Sequence, residues 1–494
     1  MINYLAEENN KTYTENGAAT LVSTGNDCVN LFGTIGAMRG RNKLLTDRFI
    51  RAYAEDSDTA MKILFFARDV RGGLGEREIF RNILRELAFS HRASVIKNIP
   101  YIAEYGRYDD LLALIGSPCE EAALDYIKTV FEADRRALVL GGNISLLAKW
   151  LPSINASSAK SKRNAAIIAG SLGLSKCDYR KALSALRERI DIIENHLREK
   201  DYGFDYEAQP SGAMFKYRQA FYRNDGERYL AYLDMVNSGD AKMHTDNLAP
   251  YEFVDRVLAG GYSPYSYQED SLSPEEEKAL NTMWDALPDY CGDENALVVV
   301  DTSGSMYDAQ RMSAASVALS LGLYMAERNK GLFKDYLMEF SEKPHFIRLK
   351  GKNFIEKLRY LLTFSEVANT NLQAVFDLIL KAAVKHNAKQ EEMPSKLYII
   401  SDMEFDLCVE NAGATNFENA KRKFEAAGYH LPQVIFWNVR ARNEQQPVMY
   451  NEQGVALVSG ASPRLFNMVF EGDISPVKYM LEVIGSKRYE PIVA

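Results

Sequence analysis

Cysteine and histidine are scarce in this chain of 494 residues, and neither residue type forms a cluster. The five cysteines, an odd number, include no Cys-x-x-Cys pair; they are Cys28, Cys119, Cys177, Cys291 and Cys408. This spacing argues against a disulfide framework and against a zinc site, and it predicts reduced thiols in a cytosolic protein. The six histidines are dispersed in the same way.

Long apolar runs and a secretory leader are also missing from the sequence. No uninterrupted apolar stretch approaches the roughly 20 residues that cross a bilayer. The first eight residues lack the basic start and the apolar core of a signal peptide. We therefore expect a cytoplasmic protein with no membrane partner.

Positive charge is not in excess, because the formal net charge is −8. The acidic excess is concentrated in residues 251–290, a stretch rich in Ser, Pro, Tyr and Glu that holds nine acidic and two basic residues. This composition predicts an acidic connector at 261–290 between an N-terminal domain, 1–260, and a C-terminal domain, 291–494. By contrast, residues 151–200 carry ten basic residues against five acidic ones.

The N-terminal half has the pattern of consecutive helices. From about Thr46 to Leu258, apolar residues recur at i, i+3 and i+4, and turn signals such as Arg71–Gly75 separate the segments. One expected helix covers Lys176–Leu197. Little strand pattern is present. The pattern predicts an α-helical repeat of HEAT-like type, a solenoid or ring in which stacked helix pairs bury a continuous core.

From Glu294 onward, short apolar strands alternate with amphipathic helices, one of which is expected at Leu372–His386. This alternation predicts a doubly wound α/β domain with a parallel sheet, of the Rossmann-like class. Ligands of such sheets bind at the carboxyl ends of the strands. Asp301 and Asp402 each follow a buried strand directly and are therefore expected at that edge.

Oxygen-bearing side chains gather at these strand ends. The Val-rich strand Ala296–Val300 runs into Asp301, Ser303 and Ser305, and Thr370 lies on a third loop between the two strands. Mg²⁺ prefers oxygen ligands in near-octahedral geometry. A set of Asp301, Ser303, Ser305, Thr370 and Asp402 therefore predicts a site for Mg²⁺ or another divalent cation, which a partner carboxylate or a phosphate could complete.

Other interpretations of these residues stay open. Asp-Thr-Ser-Gly is similar to the Asp-Thr-Gly of aspartic proteases, but those enzymes need two such carboxylates and no second copy occurs. A domain that has kept its fold and lost its metal is a further alternative. Glu404 and Asp406 are interpreted as solvated loop acids and not as extra ligands.

The remaining motifs do not indicate an enzyme. Arg71–Arg77 is glycine-rich but lacks the Lys-Ser/Thr of a phosphate-binding loop, so we interpret it as a turn between helices. No histidine lies in a nucleophile-elbow context. Metal-assisted phosphoester hydrolysis fits poorly, because ligation by serine and threonine leaves no obvious general base.

Basic residues of the helical half are candidates for nucleic-acid binding. They could pair with phosphates while Trp150 and Tyr179 stack on bases, although a solvated helix surface is the alternative for each of them singly. The candidates are Arg68, Arg71, Arg77, Lys149, Lys160, Lys162, Arg163, Arg180, Lys181 and Arg187.

Two family resemblances add to this interpretation. The five oxygen-bearing residues resemble the metal-ion-dependent adhesion site of von Willebrand factor A domains, in which the serines and the threonine coordinate metal and the aspartates bind through water or hydrogen-bond the shell. The helical half is similar to the TROVE module of the Ro autoantigen family, with an uncharacterised relative of that family looking closer still. The blocks that carry the TROVE resemblance are Ile63–Glu78, Gly106–Leu112, Lys149–Ser153, Tyr179–Lys181 and Pro210–Met214. The signatures Arg71–Arg77 and Ser401–Asp406 carry the similarity to the closer relative.

The Ro resemblance implies a helical ring that is closed by an A domain. In that family, the ring binds single-stranded ends of misfolded small RNAs and the stems of Y RNAs. The leading hypothesis is therefore a non-enzymatic scaffold for small non-coding RNA, a ribonucleoprotein component with an Mg²⁺-dependent A domain. The alternative is a protein-interaction module whose metal accepts an acidic side chain from a partner protein.

Overall fold

The N-terminal region is rich in helices, and the C-terminal region is built around a sheet. The computed structural model describes residues 1, 5, 8–258, 272–307, 313–340, 343–364, 370–407, 414–468 and 474–494. The helices before the sheet are α1 Asp27–Phe32, α2 Asn42–Glu55, α3 Ser57–Arg68, α4 Arg77–Ser90, α5 Arg92–Asn98, α6 Ile102–Tyr105, α7 Glu120–Val139, α8 Leu147–Trp150, α9 Ala159–Ser171, α10 Lys176–Ile190, α11 Ile193–Glu199, α12 Ser211–Ser238, α13 Pro250–Val257 and α14 Pro274–Asp285.

Local sequence explains where these helices begin and end. In α4, Ile79, Ile83 and Leu87 recur at one face and are buried, as the apolar spacing predicts. The side chains of Asp56 and Ser175 accept hydrogen bonds from the first turns of α3 and α10. The single helix expected over Lys176–Leu197 is interrupted, because Asp191 adopts a left-handed conformation and ends α10.

The C-terminal sheet has six strands in the order β5-β4-β3-β6-β7-β8. These strands are β3 Ala296–Asp301, β4 Tyr336–Phe340, β5 His345–Arg348, β6 Lys396–Ser401, β7 Gln433–Asn438 and β8 Val455–Ser459. The helices that follow them are α15 Ala314–Arg328, α16 Phe354–Leu362, α17 Leu372–His386, α18 Asn416–Ala426 and α19 Pro476–Ile484. The expected order, helices followed by strands that alternate with helices, is confirmed.

The expectation of a purely parallel sheet is wrong at one edge. β5 pairs with β4 in the antiparallel sense, whereas the other neighbouring strands of this sheet are parallel. Residues 341–344 alone join β4 to β5. Such a connection is too short for a crossover helix, and it permits only a hairpin.

A second hairpin near the N-terminus was not foreseen from the sequence. It consists of β1, Lys11–Tyr13, and β2, Ala19–Leu21. The hairpin lies against the C-terminal domain, because Leu21 and Gln446 exchange backbone hydrogen bonds of 3.0 and 2.8 Å. Three-residue strands carry too little periodicity to be recognised in a sequence.

Part of the expected acidic connector, 261–290, is a packed helix. Residues 259–271 lie outside the described part of the chain, but α14 follows them directly. Trp284 of α14 is fully buried and stacks on Phe354 of α16, with ring centroids 4.1 Å apart. The apolar face was difficult to recognise in the sequence, because Glu275, Glu276 and Glu277 occupy the first turn of the helix.

The helical region contacts the C-terminal domain at both of its ends. Near the N-terminus, α1 packs on β8 and α19, and Phe32 meets Tyr479 edge-on. At the other end, α13 packs on α15. The chain therefore closes back on itself and leaves a cavity between the two regions. Within the described residues, no helix has both the length and the apolar character needed to cross a membrane.

Candidate metal centre and nucleic-acid interface

The five predicted metal ligands lie on loops at one edge of the sheet. β3 and β6 are parallel neighbours in the middle of the sheet, and Val300 pairs with Ile400. Asp301 ends β3, and Asp402 directly follows β6. After β3 the chain continues to β4 on one side, and after β6 it continues to β7 on the other side. The two carboxylates thus lie at the topological switch point, where open α/β sheets bind ligands.

Hydrogen bonds arrange the side chains of this metal loop, which we define as Asp301, Ser303, Ser305, Thr370 and Asp402. The hydroxyls of Ser303 and Ser305 are 3.0 Å apart. The backbone N–H of Ser303 donates to Asp301 Oδ1 at 2.9 Å, and the Ser401 hydroxyl donates to Asp301 Oδ2 at 2.6 Å. The Ser305 side chain also lies close enough to Asp402 to offset part of the rise in the pKa of that carboxyl. Asp301, Ser303 and Ser305 therefore share one hydrogen-bond network, and Asp402 lies beside it.

Thr370 reaches the same edge through the loop that follows β6. Its carbonyl accepts a hydrogen bond of 2.9 Å from the backbone N–H of Asp406. The Thr370 side chain is buried, and its hydroxyl has no hydrogen-bond partner among the described residues. Asn369, which precedes it in the sequence motif, lies outside the described residues.

The electrostatics of the metal loop suit a cation. Burial raises the pKa of Asp301 to about 7, and the nearby charge of Asp402 adds to that rise. Burial also raises the pKa of Asp402 above its usual range. In the part of the chain that the structure describes, Asp402 Oδ2 is buried without a hydrogen-bond partner. Two buried carboxylates and three hydroxyls form an all-oxygen donor set of the kind that Mg²⁺ takes, so these residues fit that ion.

Clusters of three or more His, Cys, Asp or Glu side chains arranged to hold a metal are absent from the described residues. The metal loop contains only two such residues, and its other three oxygens come from hydroxyls.

Glu404 is not the solvated loop acid that the sequence suggested. It is buried, and its carboxylate accepts hydrogen bonds from the backbone N–H of Glu15, at 2.8 Å, and from Asn443 Nδ2, at 2.9 Å. Asp406 is partly buried, and this burial raises its pKa. The carboxylate of Glu404 thus joins Glu15 and Asn443 to the loop that follows β6.

The cavity between the helical region and the C-terminal domain has a volume of about 1380 Å³. Its wall contains seven cationic side chains and four carboxylates. The cations are Arg39, Arg71, Arg107, Lys149, Arg187, Lys216 and Arg464, and the aromatic residues of the wall are Tyr108, Tyr126, Trp150, Tyr217 and Tyr251. Arg464 comes from the loop after β8, so both regions of the chain contribute to this cavity.

Cations and rings lie next to each other along the cavity wall. The guanidinium carbon of Arg107 lies 4.1 Å from the centroid of the Trp150 ring, and Lys149 Nζ lies 5.7 Å from it. Arg187 donates to the carbonyls of Ala148 and Leu151 and thereby fixes the segment that carries Trp150. Arg39 is paired with Glu76. The arrangement offers cation–π surfaces together with partly exposed positive charge.

The structure divides the predicted RNA contacts into three groups. Arg68 is almost fully buried in an ion pair with Asp110 at 2.8 Å, so it belongs to the core and its prediction as an RNA contact is wrong. Arg71, Lys149 and Arg187 line the cavity. The others are exposed but are not part of the cavity wall; they are Arg77, Lys160, Lys162, Arg163, Arg180 and Lys181.

Sequence reasoning missed four cations of the cavity: Arg39, Arg107, Lys216 and Arg464. The sequence offered one indication for Arg107, because this residue lies in Gly106–Leu112, a block that resembles the TROVE module. The other three come from separate elements, and no spacing in the sequence connects them.

Family models cover most of the chain. A family described as a domain of unknown function, DUF2828, matches residues 14–137 and 174–296, which is half of the chain. The chain belongs to the DUF2828 family. A second model, also described as a domain of unknown function, DUF7788, matches residues 295–484 of this DUF2828 protein, which contain the metal loop.

One curated relative and one solved structure extend the comparison. The chain is 29% identical to the uncharacterized protein L728 of Acanthamoeba polyphaga mimivirus, across 98% of this chain and 89% of that protein. It also aligns with the crystal structure of the Ro (RSR) protein of Deinococcus radiodurans, at a TM-score of 0.42 and 14% identity. That alignment covers 91% of this chain and 92% of the Ro chain.

Proposed function

We propose that this protein is a non-enzymatic RNA-binding scaffold that holds single-stranded RNA in the cavity between its two regions. The observation that carries the proposal is the composition of the cavity wall, which combines seven cations with five aromatic rings and places Arg107 and Lys149 next to the Trp150 ring. The similarity of its sequence blocks to the TROVE module points to the same ligand class. The proposal names no catalytic residue.

The chemistry of the wall matches a single strand. Arginine and lysine neutralise backbone phosphates, and aromatic rings stack on bases of any sequence. A cavity of about 1380 Å³ is larger than the 300–1,000 Å³ typical of small-molecule pockets. It therefore suits several linked nucleotides better than one small metabolite.

We further propose that the metal loop binds Mg²⁺ or another divalent cation. Asp301, Ser303, Ser305, Thr370 and Asp402 would hold it, and the cation would supply a Lewis-acidic position for an anionic oxygen. The support is that, within the described residues, the buried Thr370 Oγ1 and Asp402 Oδ2 form no hydrogen bond, and a second buried carboxylate lies beside them. Resemblance to the adhesion site of A domains points to the same ion.

An interaction module is the second candidate function. Its supporting observation is the position of the metal loop at the sheet edge, where a cation bound by two carboxylates and three hydroxyls can accept an acidic side chain from another protein. Pull-downs with the wild type and Asp301→Ala distinguish the two candidates. Loss of a protein partner with RNA binding intact favours the second candidate.

A salt titration tests the RNA proposal. A fluorescent single-stranded oligoribonucleotide is titrated with the protein at several salt concentrations, with a duplex of the same sequence as the control. Each neutralised phosphate contributes about −0.7 to the log–log slope for a single strand. Lys149→Ala should lower the slope by that amount, whereas the exposed Lys160→Ala should leave cavity binding unchanged. A weak response that is independent of salt contradicts the proposal.

A further inference from the structure

The turn of the N-terminal hairpin is attached by several polar contacts to the loop after β6, which begins with Asp402 of the metal loop. The Thr14 hydroxyl donates to the Phe405 carbonyl at 2.6 Å, and Asn16 Nδ2 donates to the Glu404 carbonyl at 2.7 Å. Gly17 forms a backbone bridge with Asp406. All of these contacts fall within four residues of Asp402, so the hairpin and the loop after β6 form one unit.

A single guanidinium joins Glu15 of this hairpin to the metal loop. Arg442 Nη2 lies 2.6 Å from Glu15 Oε2, and Arg442 Nη1 lies 3.8 Å from Asp402 Oδ2, the oxygen that lacks a hydrogen-bond partner. Asn443 Nδ2 lies between two carboxylates, 3.2 Å from Glu15 and 2.9 Å from Glu404. The segment 440–443 therefore connects the hairpin with both sides of the metal loop, since Arg440 also donates to the Ser305 carbonyl.

We propose that Arg442 couples cation binding at the metal loop to docking of the N-terminal hairpin, with Glu15 as the carboxylate that draws Arg442 away from Asp402. This inference rests on the proposed metal site. A divalent cation at Asp402 repels the guanidinium of Arg442. Among the described residues, Glu15 is then the carboxylate left to pair with Arg442, and that ion pair holds the hairpin in place. Linkage makes the coupling reciprocal, so a docked hairpin strengthens cation binding.

The coupling predicts that substitutions of Arg442 and Glu15 have opposite effects on the affinity of the metal loop for Mg²⁺. Arg442→Gln removes a positive charge close to the cation and should tighten Mg²⁺ binding by roughly ten-fold. Glu15→Gln removes the carboxylate that draws Arg442 away from Asp402. The guanidinium then competes with Mg²⁺ for Asp402, so Mg²⁺ binding should weaken by about three-fold. The double variant should bind Mg²⁺ like Arg442→Gln, because Glu15 acts only through that residue.

Calorimetric titration of the full-length protein with MgCl₂ measures these affinities. Arg51→Gln is the matched control, because Arg51 pairs with Glu444, two residues after Arg442, and should leave the affinity unchanged. A merely structural role for Glu15 and Arg442 predicts weaker binding in both variants. An Arg442→Gln protein that binds Mg²⁺ as the wild type does, or more weakly, overturns the proposal.

Hydrogen exchange provides the second readout. The backbone N–H of Glu15, which donates to Glu404, should exchange more slowly when Mg²⁺ is added to the wild type, and the effect should be lost in Arg442→Gln. If the wild type and every variant fail to bind Mg²⁺, the metal proposal itself is wrong and this inference falls with it. If all proteins bind Mg²⁺ alike, only the coupling is wrong.

Discussion

Arg488 Nη2 lies 2.7 Å from Asp69 Oδ1, an ion pair between residues that are 419 positions apart in the chain. Asp69 directly follows α3 and is fully buried, and it also accepts a hydrogen bond of 3.0 Å from the Tyr489 hydroxyl. The last residues of the chain continue along the helical region, where Asn98 Nδ2 donates to the Val493 carbonyl. The C-terminal segment thereby packs against the helices beside the cavity and connects the C-terminal domain with them.

This ion pair should be important for stability. Arg488→Ala leaves the buried carboxylate of Asp69 without its cation and should lower the free energy of unfolding by about 3 kcal/mol. Urea denaturation followed by circular dichroism measures the loss. Arg198→Ala is the control, because Arg198 and Glu199 form an exposed pair and should contribute less than about 1 kcal/mol. An equal effect of the two substitutions would contradict the assignment.

The glycine-rich turn between α3 and α4 should not tolerate a side chain at Gly73. A Cβ built there lies 2.0 Å from the carbonyl oxygen of Phe66, so the turn that carries Arg71 and Asp69 has to shift. We expect Gly73→Ala to destabilise the protein by about 3 kcal/mol. Gly170→Ala in α9 is the matched control, since nothing lies within 4 Å of its Cβ and alanine favours helix there. Thermal melts of both variants check the difference.

Trp150 should contribute to RNA affinity through stacking. Trp150→Ala removes the ring beside Arg107 and Lys149 and should weaken binding of a single-stranded oligoribonucleotide by roughly ten-fold, since stacking contributes about 1–3 kcal/mol per base. Fluorescence anisotropy measures the affinity. Phe89→Ala controls for loss of an exposed aromatic ring elsewhere on the helical region. Unchanged affinity in Trp150→Ala would remove this residue from the interface.

The imidazole of His196 should titrate above its usual pKa. Nε2 lies 2.7 Å from Asp191 Oδ1 and Nδ1 lies 3.3 Å from Asp201 Oδ2, and hydrogen bonding to these carboxylates raises the pKa above 6.5. The charged form is thus favoured in the folded state. Its stabilising effect is fully present below pH 6.5 and disappears as the pH rises through the folded pKa.

Proton NMR of the ring measures this pKa directly. In Asp191→Asn, the pKa of His196 should fall towards 6.5, because Asp191 is the largest cause of the rise. A pKa that stays the same in this variant would show that the contact with Asp191 is not the cause.

Much of the sheet could be predicted from local patterns. The expected strand Ala296–Val300 forms β3 with one further residue, and the expected helix Leu372–His386 forms α17 with the same bounds. Buried strands next to crossover helices produce strong signals, because each element must bury a whole apolar face. The placement of Asp301 and Asp402 at one edge follows from the same pattern.

The cavity could not be predicted, since residues far apart in the sequence form it. Arg39, Lys216 and Arg464 meet only after the helical region closes onto the C-terminal domain. The prediction of Arg68 as an RNA contact is wrong for a related reason. Its partner Asp110 lies 42 positions away in the sequence, and nothing in the local pattern distinguishes a buried ion pair from a surface cation.

Photo-crosslinking tests the central claim most directly. A single-stranded oligoribonucleotide containing 4-thiouridine is bound to the wild-type protein, irradiated and digested, and the crosslinked peptides are identified by mass spectrometry. The account predicts crosslinks to peptides with cavity residues, above all Trp150, Tyr217 and Tyr126. Crosslinks confined to the exposed face of α9 and α10, around Lys160, Arg163 and Lys181, with none in the cavity, would contradict it.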